Sequence, residues 1–359
     1  MTIRTIIGGI AFSIFSVGSS HAQKLNLSVT LPSDTLKATS LSLSNELRNT
    51  DIRIPRAGNS VYKSAVIIPD KGFYQLENVG KVYLVPKNNL QVTSADMQTY
   101  SFKGKQAQEN ELLIKLALLR KQLLPENTTL PGIPTFTLLK QSVQEFLVTV
   151  ATYKNAVAEL VAPCSNLHFT ELAIGDADSY SRVMLLGFGQ THELDSALYQ
   201  QSKKFLEDTE SKKDPNFYLK SLRARVLPLY DGLLNEEDTE IIRKAYTDGF
   251  DLNNKTLLLN SPWYGRVLSA ISFTDIPTDE RTLHQSYAKK FEAIPTKFKD
   301  EQFAEEMRAQ QGLDYLKFVK TIGGNLDEAY QKIKTFSLAD STKQRIEKAY
   351  LELKKPTQL

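Results

Sequence analysis

Phe102-Lys103-Gly104-Lys105-Gln106-Ala107-Gln108-Glu109-Asn110-Glu111-Leu112-Leu113 is the stretch in which the period of the chain changes. Upstream of it apolar residues alternate with polar ones: Leu25-Asn26-Leu27-Ser28-Val29, Asp51-Ile52-Arg53-Ile54, then residues 61–68, 73–76, 82–85 and 90–92. Successive side chains of a strand point to opposite faces, so a period of two buries one face and wets the other. Pro32, Pro55, Gly58, Pro69-Asp70-Lys71-Gly72, residues 78–80 and Lys87-Asn88-Asn89 punctuate these runs as turn residues do. Residues 39–47 (TSLSLSNEL) alternate too and read as a further strand or an edge connection. The expected product is a small antiparallel β-sheet or sandwich over residues 23–104.

Downstream the period becomes helical. Leu112, Leu113, Leu116, Leu119 and Leu123 fall on one face at spacings of three or four. Caps announce the later helices, because Ser, Asp and Asn accept from the free amides of a first turn and Pro fits where no amide is needed. Asp214-Pro215 opens a helix limited by Pro228, and Asn235 with Glu236, Glu237 and Asp238 opens another. The latter turns Ile241, Ile242, Ala245 and Tyr246 inward and stops at Gly249. Ser261-Pro262 precedes residues 263–273, Thr278-Asp279-Glu280 precedes 284–291, and Gly323-Gly324-Asn325 separates two more helices. Residues 340–355 make a last one with Ile346, Tyr350 and Leu353 inward. The class is therefore α+β, with an antiparallel β domain at 23–104 and an α-helical domain at 105–359.

Residues 1–22 read as a signal peptide. Arg4 precedes an apolar run of 13 residues, TIIGGIAFSIFSV, and Ser20-His21-Ala22 offers small residues at the positions a signal peptidase selects. That run is shorter than the roughly 20 residues a membrane helix needs, and no later stretch suits a span. Cleavage is expected between Ala22 and Gln23, leaving 337 residues in the periplasm or outside the cell. Without Arg4 the balance is 43 basic to 41 acidic residues. Such near-neutrality argues against a nucleic-acid surface. Hydrophobic residues at 41% and charged residues at 24% support a packed core rather than disorder.

Cys164 is the sole cysteine. A disulfide and a C-x-x-C redox centre each need two thiols, so neither can form within one chain. With His168 it makes a C-x3-H pair, but zinc requires three or four ligands and His192 and His284 lie far off in sequence. It reads as a half-buried free thiol. Gly187-Phe188-Gly189 lacks the third glycine of a dinucleotide fingerprint and reads as a helix stop. Asp176-Ala177-Asp178-Ser179 lacks the later glycine and glutamate of a calcium loop and reads as a capped loop. Glu236-Glu237-Asp238 complements a helix dipole, and Tyr218, Tyr230, Tyr246, Trp263, Tyr264 and Tyr287 read as core. No G-x-S-x-G, H-E-x-x-H or phosphate-loop motif is present. No catalytic residue, cofactor or metal is assigned.

Two parts of the chain carry a family resemblance. Gly72-Phe73-Tyr74-Gln75-Leu76, Val82-Tyr83-Leu84-Val85-Pro86-Lys87-Asn88-Asn89-Leu90-Gln91-Val92 and the stretch from Phe102 to Leu113 resemble the N-terminal part of TlpA-type thiol-disulfide oxidoreductases exported by Bacteroidetes. Residues 235–270, with Leu259-Asn260-Ser261-Pro262-Trp263, and residues 313–353 are similar to their helical insert. Pro86-Lys87-Asn88 stands where that family has a Pro-Gly-Asp turn. The family continues into a thioredoxin domain with Trp-Cys-x-x-Cys, and no such motif stands in this sequence. The resemblance implies an accessory region, truncated forms included. It acts as a periplasmic non-catalytic interaction or substrate-docking module whose partner is a thioredoxin-domain protein or another envelope protein. The alternative is an exported enzyme of unidentified class with its site at the junction of sheet and helices.

Overall fold

A computed structural model describes residues 24–32, 38–48, 50–128, 131–192, 234–276, 283–321 and 324–355. The cleavage site at Ala22 and Gln23, the expected helix at 214–228 with Tyr218 and Tyr230, and the Thr278-Asp279-Glu280 cap lie outside the described residues, as does the side chain of His284.

Eight strands form the N-terminal part: β1 (Lys24–Thr30), β2 (Ser40–Asn45), β3 (Thr50–Gly58), β4 (Val61–Ile67), β5 (Gly72–Leu76), β6 (Gly80–Leu84), β7 (Leu90–Thr93) and β8 (Ser101–Gly104). They join in one curled mixed sheet of order β6-β5-β2-β3-β4-β1-β7-β8. Every pairing is antiparallel except β1 with β7, which run parallel from Leu27 opposite Leu90 to Thr30 opposite Thr93. The expectation of a wholly antiparallel sheet is corrected there. The polar–apolar alternation fixes which side chains face in, not the direction of a neighbour.

β3 lets the sheet curl. Its first half pairs with β2 from Thr50 to Pro55, and after a register shift at Arg56 its second half pairs with β4. A bulge bends and twists a strand, so the inner faces of both halves close on one core. Leu25, Leu27, Val29, Leu41, Leu43, Ile54, Tyr62, Leu76, Val82, Leu84 and Val92 fill it. The alternating serines of β2 are left on the opposite face: Leu41 and Leu43 are fully buried and Ser42 and Ser44 are half-buried.

Helices follow from Ala107: α1 (Ala107–Leu123), α2 (Phe136–Leu139), α3 (Val143–Val161), α4 (Leu167–His192), α5 (Glu236–Thr247), α6 (Lys255–Leu258), α7 (Pro262–Ser272), α8 (Leu283–Lys297), α9 (Glu301–Thr321), α10 (Leu326–Lys334) and α11 (Asp340–Lys354). Beyond β8 the described residues contain no strand, only an isolated bridge between Glu126 and Pro134. No described helix is long and apolar enough to cross a membrane. On α1, Leu112 and Leu113 are buried, whereas Leu116 and Leu119 are half-buried. The caps fall where the sequence places them: Asn235 accepts from Asp238, Ser261 from Tyr264, and Asn325 from Asp327 and Glu328.

Two readings fail inside α4. Gly187-Phe188-Gly189 is not a helix stop and Asp176-Ala177-Asp178-Ser179 is not a loop, since both lie within one 26-residue helix. Packing outweighs the weak helix propensity of glycine here. A Cβ on Gly187 would stand 2.2 Å from the Gly132 carbonyl oxygen, so this glycine lets the loop before α2 lie directly on the helix. Asp178 stays helical because it pairs with Arg182 one turn on at 2.7 Å and with Lys154 of α3.

Candidate functional site

Two polar clusters lie where the sheet meets the helices. The first surrounds the cysteine. Phe73 of β5 and Tyr83 of β6 face each other and point away from the sheet core into a layer with Leu112, Val161, Cys164, Phe169 and Leu172. Their outward backbone groups are met by side-chain amides instead of a strand. Asn110, wholly buried on α1, accepts from the Tyr83 N–H at 2.9 Å and donates to its carbonyl at 3.0 Å, imitating a ninth strand at the sheet edge. Asn260 accepts from the Phe73 N–H at 2.9 Å, and Asn45 donates to the Phe73 carbonyl at 2.7 Å. The backbone of Gly72 (φ +154°) comes so close that a Cβ would lie 2.2 Å from the Asn260 Oδ1. Asn260 of the Leu259–Trp263 step therefore docks helices onto sheet.

Cys164 sits in the turn between α3 and α4 and is 6% exposed, deeper than the half-buried thiol expected. His168 is hydrogen-bonded through its Nδ1 to the Tyr83 hydroxyl at 3.0 Å. Desolvation lowers the His168 pKa, reinforced by the charge of Lys71. Burial pushes the Tyr83 phenol up to about 12, so both are uncharged at neutral pH. Glu109 accepts from the Asn166 amide at 2.6 Å. His192 lies elsewhere, at the end of α4, with both ring nitrogens against carbonyl oxygens of Phe188 and Leu139. No group of three or more metal-ligating side chains gathers among the described residues.

The second cluster lines a cleft of about 430 Å³ between β2–β3 and the α9–α11 pair. Ser42 and Ser44 of β2 and Asp51 and Arg53 of β3 form one wall, two positions apart on the face opposite the sheet core. Arg345, Lys348, Ala349 and Glu352 of α11 form the other, at spacings that place them on one helix face. Leu313 and Lys317 of α9 close the end.

Ion pairs tie the walls together. Lys348 reaches Asp51 at 2.9 Å and Lys317 reaches Glu46 at 2.8 Å. The Lys348 hydrogen bond holds the Asp51 carboxyl below its usual range, with the Ser42 hydroxyl also donating to it. α11 is pinned to α9 by Glu305, which accepts from the Ala339 N–H at 3.0 Å and the Thr342 hydroxyl at 2.9 Å and pairs with Arg308. Burial raises the Glu305 pKa, but these donors outweigh it and hold the carboxyl low. A carboxylate from α9 thus caps α11, whose own N-cap Ala339 has no side chain to do so.

That cap fixes Arg345. Its guanidinium is 6% exposed and donates through Nη1 to Glu306 of α9 at 2.6 Å. Nε and Nη2 are buried with no hydrogen-bond partner among the described residues. These two nitrogens form the side of the guanidinium fork that takes a carboxylate or phosphate bidentately. Leaving buried donors unmet costs about 1–3 kcal/mol. A larger groove of about 1070 Å³ runs past Trp263, Arg266, Lys290 and Asp314. It is also lined by Gln190, Leu234 and Ile276, close in sequence to segments outside the described residues.

No local sequence feature marks Arg345. The signals were the serine stripe in residues 39–47 and the Arg345, Lys348, Ala349, Glu352 spacing, both present but each ordinary on its own. Comparison with known proteins finds no matching family model, no matching curated protein and no matching solved structure.

Proposed function

We propose that this chain is a non-catalytic interaction or substrate-docking module of the cell envelope, resembling the accessory region of a thiol-disulfide oxidoreductase. Its partner is a thioredoxin-domain protein or another envelope protein. The observation that carries this reading is the cleft at the sheet–helix junction, whose lining residue Arg345 has a buried guanidinium edge with no hydrogen-bond partner among the described residues. The thiol supports it from the other side. Cys164 lies in a packed apolar layer, whereas a reactive cysteine needs partial exposure and a stabilised thiolate.

An enzyme using the same cleft is less well supported. A general acid or base works best with a pKa near the operating pH. Asp51, Glu46 and Glu306 are each committed to a cation, and Asp51 is pushed the wrong way.

Insulin reduction by the purified chain tests the reading. No rate above background is expected, with or without Cys164→Ala. A measurable rate that disappears in Cys164→Ala would overturn it. Mass spectrometry of envelope-derived protein checks the compartment, with loss of residues 1–22 expected and an intact cytosolic N-terminus contrary to it.

A further inference from the structure

We propose that the β2–β3/α9–α11 cleft binds an oxyanion, a carboxylate or a phosphate group carried on a small organic body, with Arg345 as the specificity-determining residue. This rests on the docking reading and names the chemistry of what docks. Arg345 has one edge spent on Glu306 and the other unsatisfied. That edge is closed to solvent as the side chain stands, so a planar anion with two oxygens meets it, with two parallel N–H···O bonds, once the guanidinium shifts toward the cleft. Arg53, exposed on the facing strand and without an ion pair among the described residues, adds a further positive charge to the wall.

The rest of the lining says what the anion is attached to. Ser44 offers a hydroxyl along the strand wall, where those of Ser42 and Thr50 already donate to Asp51 and to the Arg48 carbonyl, while Leu313, Ala349 and Leu353 offer apolar surface along the helix wall. About 430 Å³ is the space of a small molecule or a single large side chain. Lys317 and Lys348 are already paired with Glu46 and Asp51, so the lining is close to balanced in charge. Counted with Glu352, the lining sets Arg53, Lys317, Arg345 and Lys348 against Glu46, Asp51 and Glu352, a net of +1 that suits a ligand with a single negative charge without displacing either lysine.

The test follows the arginine Nε–Hε resonances of the full chain by NMR at constant ionic strength, titrating with hexanoate, with inorganic phosphate, and with hexanol as the uncharged control. Hexanoate or phosphate should produce a saturable shift of one resonance, the one missing from Arg345→Lys. Arg345→Lys keeps the charge but loses the fork, and should weaken binding by about tenfold or more. Ser44→Phe adds bulk on the strand wall of the cleft while leaving the Arg345 and Glu306 side chains themselves unaltered, and should abolish binding in a folded protein. Tighter binding of hexanoate assigns the site to carboxylates, and tighter binding of phosphate assigns it to phosphate groups. The proposal is overturned by no saturable shift with either anion, by an equal response to hexanol, or by unchanged affinity in folded Arg345→Lys or Ser44→Phe. Each of these outcomes is read separately from insulin reduction, whose appearance with the thiol would overturn the docking reading whatever the cleft binds.

Discussion

The cysteine layer and the arginine cleft are both places where the sheet meets helices, and both bury polar side chains and leave some of them unmet, yet only the cleft leaves two nitrogens of one guanidinium fork without a partner among the described residues. Around Cys164, Asn110 and Asn260 satisfy the backbone of β6 and β5, and Tyr83 bonds His168. These bonds hold the two layers together. In the cleft, Glu305 caps α11 and two lysines bridge the walls, but the guanidinium they position is left half satisfied. Among the described residues, Arg48 Nε, Thr170 Oγ1 and Asp176 Oδ1 are buried without partners near the first junction, so a single unmet atom does not mark a ligand site; what sets the second apart is that both unmet nitrogens belong to one fork of a cleft-lining arginine.

The largest expected effect breaks the satisfied region. Asn110→Leu leaves the Tyr83 N–H and carbonyl buried without partners, and should cost about 3 kcal/mol or more at roughly 1–3 kcal/mol per unmet group. Denaturant unfolding measures it. A loss below about 1 kcal/mol would mean that the edge of β6 finds water instead.

Next comes the pair that sharpens the contrast. Arg345→Met alone strands the Glu306 carboxylate and should destabilise by about 3 kcal/mol. The double variant Arg345→Met with Glu306→Leu should recover most of that loss, because a well-packed apolar pair often equals a buried ion pair. It should nevertheless bind no oxyanion. If the single and double variants are equally unstable, Arg345 is held for packing rather than for a ligand.

How much of this was legible beforehand differs between the two regions. The switch at Gly104, the strands and the caps at Asn235, Ser261 and Asn325 follow from period and local chemistry, which short segments carry on their own. α4 did not, because Gly187 is chosen for a contact 55 residues away in sequence with Gly132. The parallel pairing of β1 with β7 is likewise invisible to alternation. Of the site, the serines of β2 lie in a stretch whose alternation reads as a further strand or an edge connection, but Arg345 matters only because Glu305 and Glu306 of α9 pin its helix and its guanidinium. That partnership spans two helices and has no local trace.

A smaller effect concerns the thiol itself. Cys164→Ser places a hydroxyl in an apolar layer and should cost about 1 kcal/mol, with Cys164→Ala milder. Ligand response should be unchanged in both.

The smallest is a pH dependence. His168 titrates below its ordinary range in the folded state, so the unfolded chain binds the proton more readily. Stability contributed by the neutral ring is present above about pH 6.5 and is lost as pH falls from there toward the lower folded value. The slope of melting temperature against pH in that window should be shallower in His168→Gln. An identical slope would remove His168 as its source.

The contrast itself is tested most directly by the hexanoate-induced rise in melting temperature, measured side by side in the unaltered chain, Cys164→Ala and Arg345→Lys. The account predicts a saturable rise that Cys164→Ala retains in full and Arg345→Lys loses. A rise that survives Arg345→Lys and disappears in Cys164→Ala would contradict it and move the functional site to the cysteine layer.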